Sequence, residues 1–160
     1  MNLATVLQRS VLKRHIFSAL LTGFVFVQSG NVVGQTDKTL YRLSEAQILS
    51  EITGKTFEGI YTRDGVSFSE IYKSNGELDY RDERETLSGQ WVIKNGLFCN
   101  LYTKPVGGCF ALYRTGPNCV ISYSAPDETR PYTPPAGTIP GVRMWDSSKA
   151  STCPDAQPIG

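Results

Sequence analysis

From Thr56 to Ser124 apolar and polar residues alternate in short runs broken by Gly, Asn, Asp and Pro. Alternation of period two marks strands with one buried face. The runs predict strands near 56–62, 66–73, 77–82, 86–94, 97–102, 109–114 and 119–124. Three of the breaks are Asp64-Gly65, Asn75-Gly76 and Asn95-Gly96, dipeptides that accept the positive φ of tight hairpin turns. Strands joined this directly form an antiparallel meander. Upstream, "LSEAQILSEITGKT" shifts to a helical period. Ser44 and Gln47 are spaced as a capping box and Leu43 and Ile48 as a hydrophobic staple. Leu49 and Ile52 extend the stripe, and Gly54 suits the left-handed stop. The predicted helix, 45–53, docks on the sheet as a cap.

Register follows from keeping apolar residues on one face. A two-residue loop at Asp64-Gly65 sets Tyr61 opposite Phe68 and Gly59 opposite Glu70. A three-residue loop at Ser74–Gly76 sets Tyr72 opposite Leu78 and Glu70 opposite Tyr80, with Lys73 and Glu77 on the wet side. A three-residue loop at Lys94–Gly96 sets Trp91 opposite Cys99, giving an inner face of Gly89, Trp91, Ile93, Leu97, Cys99 and Leu101.

The flanks differ from this β-domain. Residues 1–34 read as a signal peptide: Arg9, Lys13 and Arg14 precede the apolar "IFSALLTGFVFV", and small residues follow at Ser29 and Gly34, either of which fits a cleavage site. A dozen apolar residues fall short of the roughly twenty needed to span a bilayer. Residues 125–160 carry seven of the nine prolines, including "RPYTPPAGTIPG", and read as an extended tail. Val142, Met144 and Trp145 offer it one docking point. The domain plan is thus signal peptide 1–34, β-domain 35–124 with its capping helix, and proline-rich tail 125–160.

Export changes the charge and the chemistry. Three of the sixteen basic residues and none of the fifteen acids lie in 1–34, so the remainder has a formal charge of −2. Without a basic cluster, nucleic-acid binding has no support. The only histidine, His15, leaves with the signal, which removes His-based triads and His-containing metal sites. Cys99, Cys109, Cys119 and Cys153 all remain. An even count in an exported chain predicts two disulfides, and the wide spacing lacks the C-x-x-C pairs of a zinc site. Three connectivities are open. Facing positions across the hairpin around "TKPVGG" favour Cys99–Cys109, which leaves Cys119 to tie down Cys153.

Glu70 is the most informative acid. The register puts it on the aromatic inner face between Phe68 and Tyr72, beside Tyr80, with space left by Gly59 opposite. A carboxyl there is pushed up by burial unless hydroxyls or a cation satisfy it, and such groups mark candidate sites. Glu70, Tyr72, Tyr80 and Gly59 are therefore the candidate ligand-binding residues. A glycosidase pair needs a second acid roughly 5–9 Å away, and Glu58 faces outward. No phosphate loop is present. The sequence predicts no catalytic residue, no cofactor and no metal.

The succession "LSEAQILSEITGKTFEGIY", a Tyr-bearing strand ending in "SNGEL", then "SGQWVIKNGLFC" and a second Cys before "FALYR" resembles a group of small exported alphaproteobacterial proteins. That resemblance implies a mainly β fold, a small antiparallel lipocalin-like sheet or barrel with one N-terminal helix. The "SGQW…C" strand start is also similar to small periplasmic inhibitors of secreted metalloproteases, eight-stranded barrels whose N-terminal trunk enters the protease cleft. Residues Gln35–Arg42 would be the corresponding arm. The expected protein is a periplasmic or secreted, non-enzymatic domain that binds a small ligand. The alternative is an inhibitor or interaction module for an exported protein.

Overall fold

The computed structural model describes residues 40–154. The expected signal peptide, its cleavage zone and most of the Gln35–Arg42 arm lie outside the described residues, as does the chain after Pro154. Among the described residues there are nine strands and one helix: β1 (Tyr41–Arg42), α1 (Glu45–Ile52), β2 (Lys55–Tyr61), β3 (Ser67–Tyr72), β4 (Glu77–Asp82), β5 (Thr86–Lys94), β6 (Leu97–Tyr102), β7 (Gly107–Gly116), β8 (Cys119–Ser124) and β9 (Val142–Asp146). Each strand from β2 to β9 pairs antiparallel with the next, and β9 returns to β2. The result is a closed eight-strand barrel, which leaves none of these strands a long free edge. β1 takes up the stretch of β7 that the shorter β6 does not reach, pairing Tyr41 with Arg114 and Arg42 with Tyr113.

The closing strand is where the sequence reading needs correction. Residues 142–146, expected in a tail with a docking point, form β9. Met144 lies between Gly59 of β2 and Val120 of β8 and is buried. Five residues that follow a proline-rich stretch are too short a run to show alternation, so the strand is visible only through its partners. The chain between β8 and β9 is also anchored. Asn95 donates to the Glu128 carbonyl at 3.0 Å, and the Arg42 guanidinium donates to the carbonyls of Tyr132 and Gly96.

The helix forms where its caps put it. The Ser44 backbone N–H donates to Gln47 Oε1 at 2.9 Å, while the Ser44 hydroxyl accepts from the Gln47 N–H. Eight residues are too few to hold a helix alone. Ile48 and Ile52 are fully buried with Leu43 against Phe57, Tyr72, Trp91 and Leu112, worth roughly 2 kcal/mol per side chain. Leu49, expected in this stripe, is 49% exposed; the buried line is the four-residue spacing of Ile48 and Ile52. Gly54 N–H donates to the Tyr72 carbonyl at 2.7 Å, and Glu51 pairs with Arg114. The helix thus seals one end of the barrel. It is too short to cross a membrane, and no helix among the described residues is long and apolar enough to do so.

Inside, Trp91 and Phe68 are 7% and 6% exposed, so the side of the sheet that bears them is the core. Register agrees with the sequence reading at β3–β4, where Tyr72 faces Leu78 and Glu70 faces Tyr80. It differs in two hairpins. Between β2 and β3 the turn begins at Tyr61 and closes on Val66, a longer loop than the two-residue form. Gly59 therefore lies opposite Phe68, and Glu70 lies opposite Phe57. The parity of the face survives, but the role of Gly59 does not. Its bare Cα accommodates the Phe68 ring; a methyl there would stand 2.3 Å from Phe68 Cζ. Gly59 makes room for an aromatic ring, not for a ligand beside Glu70.

At β5–β6 the slip is one residue. Asn95 (φ 54°) and Gly96 (φ 71°) are both left-handed, the signature of a two-residue type I′ turn. Lys94 pairs with Leu97, Val92 with Cys99 and Trp91 with Asn100. A one-residue slip exchanges faces. Phe98, Asn100 and Tyr102 therefore join Trp91 inside, while Leu97, Cys99 and Leu101 turn outward. Trp91 Nε1 donates to the Lys73 carbonyl at 3.0 Å.

The disulfides are Cys99–Cys109 and Cys119–Cys153, the pairing the hairpin favours. Cys99–Cys109, however, lies on the outside of the barrel rather than beside Trp91. There Leu97, Ala111, Tyr113, Ile121 and Tyr123 form a second buried cluster, with Tyr132 and Cys153 packed on it.

The Gly59 contact yields a direct check. Gly59→Ala should lower the unfolding free energy by about 2 kcal/mol, the usual cost of overpacking. In a Phe68→Leu background the same change should cost less than half as much. Equal costs in urea unfolding of the two pairs would mean that the ring is not what the added methyl meets.

Candidate functional site

The barrel interior is not filled. A cavity of about 480 Å³ runs along the inner wall and reaches the loops at the end opposite α1. Arg63, Asp64 and Val66 from the β2–β3 loop, Arg84 and Glu85 from β4–β5, and Val106 from β6–β7 stand at that mouth. Phe98, Leu112 and Met144 line its deeper, apolar part. Alternation places these side chains, since every second residue of each strand points into a barrel.

Halfway along the wall sits a polar cluster that links β3 and β6. Glu70 of β3 is 6% exposed. Its Oε2 accepts from the Tyr72 hydroxyl, and its Oε1 accepts from the Tyr102 hydroxyl and from Asn100 Nδ2, the last at 3.1 Å. Asn100 Nδ2 also lies 3.4 Å from the Tyr72 hydroxyl. Asn100 Oδ1 is buried, and no donor among the described residues reaches it. A second chain runs nearer the mouth: Tyr61 donates to Tyr80 at 3.2 Å, and Tyr80 donates to Asp82 Oδ2 at 2.9 Å. The rings of Tyr80 and Tyr102 meet edge to face with centroids 5.7 Å apart, linking the two groups.

Burial sets the electrostatics. Desolvation raises Glu70 above the ordinary carboxylate range, against the pull of the Tyr102, Tyr72 and Asn100 donors. The same burial, with the Glu70 charge next to them, holds Tyr72 and Tyr102 far above the usual tyrosine value, so both remain donors. Burial also raises Tyr80. Asp82 is pushed up by burial, but the backbone N–H groups of Glu85 and Arg84 and the Tyr80 hydroxyl together bring it below the ordinary range. Among the described residues no cation pairs with Glu70, and the only cations lining the cavity are Arg63 and Arg84 in the mouth loops.

Of the four residues singled out in the sequence, Glu70 and Tyr72 meet directly. Tyr80 faces Glu70 across β3–β4, yet its hydroxyl serves Asp82. Gly59 packs under Phe68 and is not part of the cavity wall. Asn100 and Tyr102 complete the cluster, and a three-residue turn at Lys94–Gly96 hides them by sending both outward. The signal for them is Asn95-Gly96 itself: read as a two-residue turn, it puts Asn100 opposite Trp91. In this arrangement hydroxyl and amide donors fix the position of a buried carboxylate on the cavity wall. No family model, no curated protein and no solved structure matches this chain.

Proposed function

We propose that this is an exported, lipocalin-like domain that carries a small ligand inside its barrel and performs no chemistry on it. The observation that carries the reading is the cavity of about 480 Å³, within the range of small-molecule sites, with apolar walls and a few convergent polar groups. An inhibitor that works through its N-terminal arm needs no such space, which makes that reading the weaker one. The strictly sequential meander supports the likeness to up-and-down ligand barrels. Two disulfides suit an oxidising compartment outside the cytosol.

Uptake of the neutral reporter N-phenyl-1-naphthylamine, followed by its fluorescence, tests the reading. The protein should take it up at a single site. Ser122→Phe, which sets a ring into the cavity from β8, should abolish uptake while thermal unfolding shows a folded protein. Uptake unchanged by Ser122→Phe, or no uptake by the parent protein, would remove the interior as the binding site.

A further inference from the structure

Resting on the interior-ligand reading, we propose that the cavity selects a small organic cation, a protonated amine on an apolar body, with its N–H groups donated to Glu70. Three observations lead there. The first is acceptor surplus. A carboxylate offers about four acceptor positions, and Tyr72, Tyr102 and Asn100 Nδ2 fill three of them. Turning the Asn100 amide around does not remove the surplus, because its oxygen would then face Glu70 Oε1 at 3.1 Å, acceptor against acceptor.

The second observation is uncompensated charge. Glu70 is more than nine-tenths buried, and among the described residues it has no cationic partner, an arrangement that destabilises the ion unless something supplies the opposite charge. Arg63 and Arg84 stand only at the mouth, where Arg84 pairs with Glu83 at 3.7 Å. The third is the wall itself. Phe68, Tyr80, Tyr102 and Phe98 line the same cavity as the carboxylate, and the faces of aromatic rings attract cations. A fatty acid would bring a second carboxylate against Glu70, and a neutral apolar ligand would leave the Glu70 charge buried without a partner. An amine satisfies all three conditions.

Three probes of one shape separate these possibilities: 2-phenylethylamine, 2-phenylethanol and phenylacetate, each used to displace N-phenyl-1-naphthylamine at neutral pH. The amine should displace at least tenfold more strongly than the alcohol, and phenylacetate least of all. Glu70→Gln should weaken the amine at least tenfold and leave the alcohol within twofold, with the reporter still bound. If the reporter binds but the alcohol or the acid competes as well as the amine, cation selection is overturned and the interior-ligand reading stands. Amine binding that survives Glu70→Gln overturns it equally. If neither reporter nor amine enters, both readings fall.

Discussion

Removing the Cys119–Cys153 bond, as the Cys119→Ala/Cys153→Ala variant, should lower the unfolding free energy by about 4 kcal/mol and the melting temperature by about 15 °C. The bond closes a loop with a sequence separation of 34, whereas Cys99–Cys109 closes one of 10. In the chain-entropy account the longer loop restrains the unfolded chain more, and the shorter bond should be worth about 3 kcal/mol. Position adds to the difference. Cys99 and Cys109 are already paired across adjacent strands, so their bond reinforces a local contact. Cys119 opens β8 and Cys153 lies beyond β9, so theirs secures the strand that completes the barrel. That strand keeps other holds without it. The Asp146 N–H donates to Asn118 Oδ1 at 3.0 Å, and Asn118 Nδ2 donates to the Asp146 carbonyl at 3.1 Å. The variant should therefore fold, since a domain of this size has roughly 5–15 kcal/mol in hand. Urea unfolding of the two double-alanine variants decides the matter. A larger loss from removing Cys99–Cys109 would show that loop length does not govern their contributions.

How far the sequence can be read depends on whether one face of a strand is wet. In β3 and β4 and the turn between them, the outer positions carry Ser69, Lys73, Asp79 and Arg81, so alternation identifies the inside and the pairing of Glu70 with Tyr80 is recovered. In β6 the run Leu97-Phe98-Cys99-Asn100 is buried at every position, because the crossing chain and Tyr132 cover the outer side. Alternation carries no information there, and choosing the more apolar set as the inner one selects the wrong face. The turn dipeptide holds the answer, since consecutive left-handed residues at Asn95 and Gly96 demand the two-residue form. The Gly59 error has another origin. An Asp-Gly pair limits the turn only locally, and a shift of two residues preserves every face, so no pattern argument can detect it. The ring of Phe68 fixes that register through its fit on the glycine. β9 is hidden for a third reason: its strand identity comes from β2 and β8, residues far away in the chain. Glu70 can be located because it interrupts an apolar face, a local anomaly. Its partners Asn100 and Tyr102 are placed only once the Asn95-Gly96 turn is read in its two-residue form, because a three-residue form exchanges the faces of that hairpin.

The Glu70 cluster should also make folding stability depend on pH in a direction opposite to that of most carboxylates. Burial raises its folded value above the ordinary 4.5, so as pH rises the unfolded chain ionises first. Its contribution is complete below about pH 4.5, declines as pH climbs through the raised folded value, and is constant above it. Asp82 and Asp146, held low in the fold, work in the other sense and act at lower pH, where they lose their contribution as pH falls. The groups facing Glu70 do not blur the result, because Tyr72 and Tyr102 stay protonated throughout and Asn100 does not titrate. Glu70→Gln keeps the shape and an acceptor for Tyr102 and Asn100 while removing the charge. Its stability relative to the parent should rise across that window by up to about 1.4 kcal/mol per pH unit. Urea unfolding of both proteins from acid to mildly alkaline pH gives the difference curve. Parallel curves would mean that the three donors balance desolvation, and a parent that gains on the variant as pH rises would mean that they outweigh it; either would show that the ion is stable without a countercharge. A cation bound at Glu70 should flatten the parent's slope, because it supplies to the folded state the partner that only water provides to the unfolded one.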